Sequence, residues 1–423
     1  MGENLFCVRN LKVLIVNTYH YLRGGDCTYA FSLAELLRSK GHEVFFFGMH
    51  HPQNFPCEQS EYFVDYIDFR EMNRDKGVMN AVRVLSRSIY STQAKAKLRQ
   101  LVADLKPDIA HLQNIHAHLT PSVIFELKKL GIPVVWTLHD FKLICPNTHL
   151  LSHGQICESC KGGKFYQCTL KKCKKDSYAA SLVATIEAVV HRQMHVTDNV
   201  DAFISPSAFL RNKFLEFGYK SENFYHISNF LQRDLLTGVK SIDGGYALYL
   251  GQLEQWKGIK TLIRAWSGMN GMILKIAGDG SLKKELEAEV ANSGMKNIVF
   301  LGHLDKRSVQ EVLAQASLVI LPSEWYENYP YSVMEAMASG KPVIAANIGG
   351  LPEMVGDGET GLLFESGNSK DLKNKLEKLA GDSRLRLEMG KNAKKKADEE
   401  FSPELHYTKL VKIYNNVMSP SFA

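Results

Sequence analysis

The sequence predicts an α/β protein built from two doubly wound, Rossmann-like domains with parallel sheets. Three observations carry that prediction. Short apolar runs of four or five residues alternate with helical stretches from Val13 to Phe217, and again from Tyr246 to Ala346. This is the pattern of strands covered on both faces by crossover helices. Glycines stand where such strands end, at Gly24-Gly25, Gly251 and Gly278-Asp279-Gly280. A length of 423 residues suggests roughly two to three domains.

The elements follow in order. Val13–Val16 reads as a buried strand, and the loop Asn17–Asp26 ends in Gly24-Gly25. A helix from about Cys27 to Ser39, closed by Gly41, leads to the strand Val44–Phe47. No G-x-G-x-x-G occurs in this unit, so a dinucleotide reading is poor. Arg70–Gln100 reads as mostly helical and polar. Asp108–Leu112 is a strand, Leu119–Leu130 a helix, and Pro133–Thr137 a strand with His139-Asp140 at its carboxyl end. Ligands of open α/β sheets bind off those ends, so His139 is placed to touch a substrate. Helices at Tyr178–Val196 and Ser207–Phe217 flank the strand Ala202–Ser205, and a polar linker precedes Gly245. The second half offers strands at Tyr246–Leu250, Ile273–Ala277, Ile298–Leu301 and Leu318–Leu321, and a final helix at Pro403–Met418.

The chain is organised around Glu324–Ala346, which reads as loop, helix and strand. Pro330 suits the first helical position, where its missing N–H is no loss. Val333, Met334, Ala336, Met337 and Ala338 make the helix apolar enough to be buried, and Gly340 ends it. Glu327 precedes the helix and Glu335 lies inside it. A carboxylate in a buried helix needs a partner, and a helix N-terminus attracts anions.

The pattern Glu327-x7-Glu335-Ala-Met-Ala-x-Gly-x-Pro-Val resembles the signature of retaining, nucleotide-sugar-dependent glycosyltransferases of family 4. The likeness extends over most of the chain and includes Thr137-Leu-His-Asp140. It implies a GT-B fold, two Rossmann-like domains facing a cleft. An acceptor-side domain would span residues 1–230 and a nucleotide-sugar domain 231–403. Residues 404–423 would form a last helix crossing back to the first domain.

The resemblance implies transfer of a sugar from a nucleotide diphosphate to the hydroxyl of a glycan or lipid-linked acceptor. An α-donor would give an α-linkage, in glycan, lipopolysaccharide or exopolysaccharide assembly. Glu327 would face the sugar, and His139 would contact it from across the cleft. Gly24 and Gly25 would let backbone approach the diphosphate, or simply form a tight turn. Lys257 can supply positive charge, and backbone N–H groups near Tyr329 and Tyr331 can donate; Pro330 cannot. Glu335 can accept both ribose hydroxyls. One departure is plain, since the family's usual Arg after Gly251 is Gln252 here. Front-face attack of this kind requires no metal, and no Asp-x-Asp motif occurs.

Five cysteines fall between Cys145 and Cys173. Cys157-x2-Cys160 and Cys168-x4-Cys173 approach a structural zinc spacing. The alternative is a set of reduced thiols in a solvated basic loop. Cys145 is expected to stay free, nearer the cleft. Lys161, Lys164, Lys171, Lys172, Lys174 and Lys175 surround them, facing either anionic lipid or water.

The net charge of +6 is too mild and dispersed for nucleic acid. The N-terminus lacks the order of a signal peptide and no run reaches the ~18 apolar residues of a membrane span. The expected location is the cytoplasm, peripheral to the inner membrane face. Two rivals remain at this stage: a sugar-nucleotide epimerase of the same architecture, and a degenerate, non-catalytic partner of a transferase.

Overall fold

A computed structural model describes residues 9–66, 89–116, 118–232 and 242–419. In the first half, β1 (Lys12–Val16), β2 (Glu43–Phe47), β3 (Ile109–Leu112) and β4 (Val134–Thr137) precede a small hairpin of β5 (Leu151–Ser152) and β6 (Gln155–Ile156). The strands β7 (Ala202–Ser205) and β8 (Phe224–His226) complete a sheet of order β2-β1-β3-β4-β7-β8. The second half contains β9 (Tyr246–Leu250), β10 (Ile273–Ala277), β11 (Ile298–Gly302), β12 (Leu318–Leu321), β13 (Val343–Ala346) and β14 (Gly361–Phe364). Their order is β11-β10-β9-β12-β13-β14. Pairing within both six-stranded sheets is parallel. The predicted α/β class with two Rossmann-like sheets is therefore observed.

Alternation along the strands divides the first core into two layers. Val13 and Ile15 pack with Leu33, Leu37 and Tyr414, whereas Leu14 and Val16 pack with Leu98 and Leu127. Each sheet starts in its middle and reverses direction, between β1 and β3 in the first and between β9 and β12 in the second. Such switch points open crevices at the carboxyl ends of strands. The loops carrying Gly24-Gly25, His139, Lys257 and Glu327 leave from those ends.

The last helix, Pro403–Met418, packs on the first sheet. Tyr414 Oη lies 2.7 Å from His111 Nδ1, and His111 Nε2 lies 2.7 Å from Thr137 Oγ1. Tyr29 Oη meets His406 Nε2 at 3.0 Å. These paired rings explain why polar groups line an otherwise apolar seam.

Some boundaries differ from expectation. Pro330 is the residue before the helix rather than its first member; its ψ of 130° is extended and the helix begins at Tyr331. The strands β8 and β14 and the helices Leu351–Met354, Ser369–Gly381 and Ser383–Glu400 carried no assignment from sequence. The last of these buries only Met389, Gly390, Ala393 and Ala397, too weak an apolar stripe to read. Of the expected helix over Arg70–Gln100, residues 70–88 lie outside the described residues, and a helix runs Thr92–Leu105. Among the described residues no helix is long and apolar enough to cross a membrane.

Burial lowers His20, His118 and His406 to about 4 and His111 to about 3. These groups are neutral when folded and bind protons more readily once unfolded. The unfolded state then gains protons as pH falls below the ordinary histidine value of 6.5. Glu335, raised to about 7, opposes them as a single group. The melting temperature should therefore fall steadily from pH 6.5 to about 4.5, before ordinary carboxylates titrate. A melting temperature constant across that window, read by calorimetry, would contradict these burials.

Candidate active site

The loop between β12 and the helix Tyr331–Ala338 carries Glu327. Its carboxylate is buried at 4% exposure, and Oε1 accepts from Lys257 Nζ at 2.7 Å and Ser323 Oγ at 2.6 Å. Burial alone would raise this carboxyl, but the Lys257 ammonium and these hydrogen bonds hold it below its usual range. Trp325 covers the pair, with Lys257 Nζ 4.7 Å from its ring centre. Sequence reasoning assigned Lys257 and Glu327 to different parts of a ligand; the structure joins them directly.

Two glycines permit this close meeting of loops. Gly258 has φ of +69°, and a Cβ there would lie 1.7 Å from Pro322 O. Gly349 has φ of +63°, and its Cβ would lie 2.4 Å from Glu327 O. Any side chain at either position would push the Lys257 or Glu327 loop away.

Glu335 occupies the second turn of the helix, and no hydrogen bond to its carboxylate forms among the described residues. Burial pushes its carboxyl up to about 7, with only Lys306 opposing. Tyr331 Oη is likewise buried and has no hydrogen-bond partner among the described residues. The N–H groups of Tyr331 and Ser332 make no hydrogen bond among the described residues, as expected at a helix start. The ring of Tyr331 faces Gly25, where a Cβ would come within 3.6 Å of it. Gly24 and Gly25 thus lie across the cleft from this helix; Gly24 is extended backbone and Gly25 begins the helix Gly25–Ser39. Tyr329 is buried, and its carbonyl accepts from Asn229 Nδ2 at 3.4 Å. Gln252 is exposed, and its carbonyl accepts from Tyr249 Oη at 2.7 Å.

His139 follows β4 and packs at 5.3 Å from the Tyr29 ring. Its Nε2 lies 2.7 Å from Gln113 Oε1. That oxygen can only accept, so Nε2 carries the proton and Nδ1, which makes no hydrogen bond among the described residues, is left as an acceptor. Burial lowers the ring below its ordinary value, with Asp26 and Asp140 opposing, so the imidazole is neutral near pH 7. Sequence reasoning missed Gln113, which nothing but its place after β3 could have flagged. It also missed Arg23, an exposed cation just before Gly24 whose guanidinium sits 4.2 Å over the Tyr19 ring.

The two halves clasp each other beside this loop. Ser207 Oγ donates to Asn328 Oδ1 at 2.6 Å, and Glu353 accepts the N–H groups of Ala208 and Phe209 at 2.8 and 2.5 Å. Tyr326 Oη donates to Glu158 at 2.8 Å, and Lys213 meets that carboxylate at 2.9 Å. The His149 ring lies 5.4 Å from Trp325 and 6.1 Å from Trp256.

The cysteines gather at the base of the same segment. Cys160 and Cys168 are buried with Phe165, against Cys173. The Cys168 and Cys173 thiols hydrogen-bond each other, and that bond draws Cys173 down to about 6. The Cys157 thiol pairs with Ser159 Oγ at 3.5 Å and receives Lys171 Nζ at 3.6 Å. Among the described residues no group of three His, Cys, Asp or Glu has the geometry to hold a metal ion. Cys145, expected to stay free and nearer the cleft, is a free thiol buried close enough to Cys160, Cys168 and Cys173 to feel their charge.

Lys257→Met should strand the Glu327 carboxylate and destabilise the fold by roughly 3 kcal/mol, as for a broken buried pair. Glu327→Gln added to it should restore most of that loss. Equal melting temperatures for wild type and Lys257→Met would show the pair to be energetically idle.

The profile for Glycosyltransferase Family 4 matches residues 23–235, and that for group 1 glycosyl transferases matches residues 239–396. The chain is 25% identical to a capsular polysaccharide biosynthesis glycosyltransferase of Staphylococcus aureus, over 76% of this chain and 86% of that protein. It is 32% identical to an uncharacterized glycosyltransferase of Methanocaldococcus jannaschii, over 51% of this chain and only 59% of that relative's length. Its fold is similar to sucrose-phosphate synthase of Thermosynechococcus elongatus, with a TM-score of 0.71, 18% identity, and coverage of 98% and 100% of the two chains. Anabaena HepE, solved with UDP and glucose, gives a TM-score of 0.67 at 17% identity, with coverage of 96% and 100%.

Proposed function

The chain belongs to glycosyltransferase family 4, and from that premise we propose that it transfers a sugar from a nucleotide diphosphate to an acceptor hydroxyl with retention. The observation that carries this reading is the unsatisfied polar set on one helix. Among the described residues Glu335 has no hydrogen-bond donor, and the N–H groups of Tyr331 and Ser332 have no acceptors. A ribose offers paired hydroxyls to the first, and a diphosphate offers oxygens to the second. HepE, similar in fold, was solved with UDP, which makes a uridine diphosphate sugar the first donor to test. We take the division at residues 230 and 231 as the boundary between acceptor and donor domains.

In the proposed reaction the bond between the sugar's anomeric carbon and the diphosphate oxygen breaks first. Negative charge then grows on the leaving diphosphate. Lys257, the helix N-terminus and the backbone at Gly24-Gly25 stabilise it. The acceptor hydroxyl attacks from the face the diphosphate leaves, and its proton passes to a diphosphate oxygen. Glu327 faces the positive charge developing on the sugar, and neutral His139 presents Nδ1 to a sugar hydroxyl. Gln252 contributes no charge, so Lys257 must leave Glu327 to serve the donor. Arg23 is near enough to the glycine turn to share that task. The acceptor is a glycan or lipid-linked glycan under assembly, as the capsular relative's name implies for that protein.

Glu335→Ala should weaken uridine diphosphate binding by ~1–3 kcal/mol. Glu327→Ala should lower turnover without weakening nucleotide binding, because it also frees the Lys257 ammonium. Wild-type binding should tighten as pH rises through about 7, because only the ionised Glu335 accepts both hydroxyls. Titration calorimetry decides it: equal affinity in wild type and Glu335→Ala, with no pH dependence, would remove the assignment.

We further propose one structural zinc at the cysteine cluster. Thiolates suit a soft tetrahedral ion, and Cys157, Cys160, Cys168 and Cys173 are the chemically apt set. These thiols are free and neighbouring but not arranged around one point among the described residues, so binding would draw the segment together and add folding energy. Elemental analysis of protein purified without chelator should give about one zinc per chain. Metal-free protein whose thiols all react rapidly would leave a cluster of reduced cysteines.

A further inference from the structure

The segment that clasps the cleft also carries most of the molecule's excess charge. Residues 161–193 contain seven Lys or Arg and two acidic residues, which leaves five net charges of the chain's +6. Of the two carboxylates, Glu187 is buried against Lys142 at 2.9 Å and presents nothing to solvent. The basic field is therefore local, not a property of the whole surface.

The same segment exposes large apolar side chains. On the helix Tyr166–Leu170, Tyr166 is 53% and Leu170 64% exposed. On the helix Tyr178–Gln193, packed against it, Tyr178 is 58% and Leu182 48% exposed, one turn apart. Inward-facing Thr169 and Thr185 join the two helices through a 2.8 Å hydrogen bond, so the outward positions are fixed. Lys172 Nζ lies 4.4 Å over the Tyr178 ring, and Lys164, Lys171 and Lys175 are exposed on the same segment. Aromatic and leucine side chains ringed by lysine fit one environment well. Rings and methyls enter the interface of a bilayer while ammonium groups stay at the lipid phosphates. Water alone would leave this apolar area uncovered.

We propose that this two-helix face docks on an anionic lipid bilayer. Because Glu158 and His149, shortly before this segment in the chain, touch Tyr326 and Trp325 beside Glu327, docking would set the cleft at the membrane surface. A lipid-linked acceptor could then reach it without leaving the bilayer. The docking itself does not depend on the transferase reading.

The test is co-sedimentation of the full chain with vesicles of phosphatidylcholine alone and of phosphatidylcholine mixed with phosphatidylglycerol. Binding is expected to the anionic vesicles only and to weaken with salt. Each basic residue near such a surface contributes about fivefold to partition, so Lys164→Glu with Lys175→Glu should reduce it on the order of a hundredfold or more. Leu170→Ser with Leu182→Ser should reduce it as well while leaving salt dependence in place. Unchanged melting temperatures would confirm that both variants fold. No vesicle binding, equal binding to neutral vesicles, or binding that both variants retain would overturn the proposal. If the variants instead lose self-association on gel filtration, the face belongs to a second copy of the chain and the proposal is equally overturned. Nucleotide binding by the same variants reports separately on the transferase reading.

Discussion

The ion pair between Lys257 and Glu327 sets the geometry of the cleft. A carboxylate this deeply buried stays ionised only because an ammonium at 2.7 Å and a hydroxyl at 2.6 Å replace its water. The pair needs two loops from different strand ends to meet at backbone contact. Gly258 and Gly349 make that possible by accepting conformations and distances closed to any other residue. Trp325 then covers the pair and strengthens it by excluding solvent. In the proposed reaction this arrangement has a consequence. The main cation of the donor site is already engaged, so a diphosphate must compete for it.

The contacts around the pair tie the two sheets together beside the cleft. Asn328 and Tyr326, either side of Glu327, are held by Ser207 and Glu158 from the first half. Glu353 grips the start of the helix Ala208–Glu216 through two N–H groups, a charge-assisted cap across the cleft. Any rotation of one half against the other must break these bonds and shift the Glu327 loop. His139 is oriented from its own side by Gln113, so each wall of the cleft carries its own fixed polar groups.

The fold was largely legible in the sequence because its strands are buried on both faces. Runs such as Tyr246–Leu250 and Leu318–Leu321 are continuous and apolar, and their observed bounds match the reading. Gly361–Phe364 is as short but ends a polar loop, and the helix Ser383–Glu400 shows too little apolar surface to announce itself. Glu335 was legible as a carboxylate out of place in an apolar helix. The pairing of Lys257 with Glu327 was not, since seventy residues separate them and only the fold brings them together. Nor was the position of Cys145, because spacing along the chain does not say which thiols a folded loop buries together.

The central claim is that Lys257 must exchange Glu327 for the donor's diphosphate. Calorimetric titration of uridine diphosphate into Glu327→Gln tests it most directly. Removing the carboxylate's charge frees the ammonium, so the account predicts tighter nucleotide binding together with lost transfer activity. Weaker or unchanged nucleotide binding by a folded Glu327→Gln protein would contradict it.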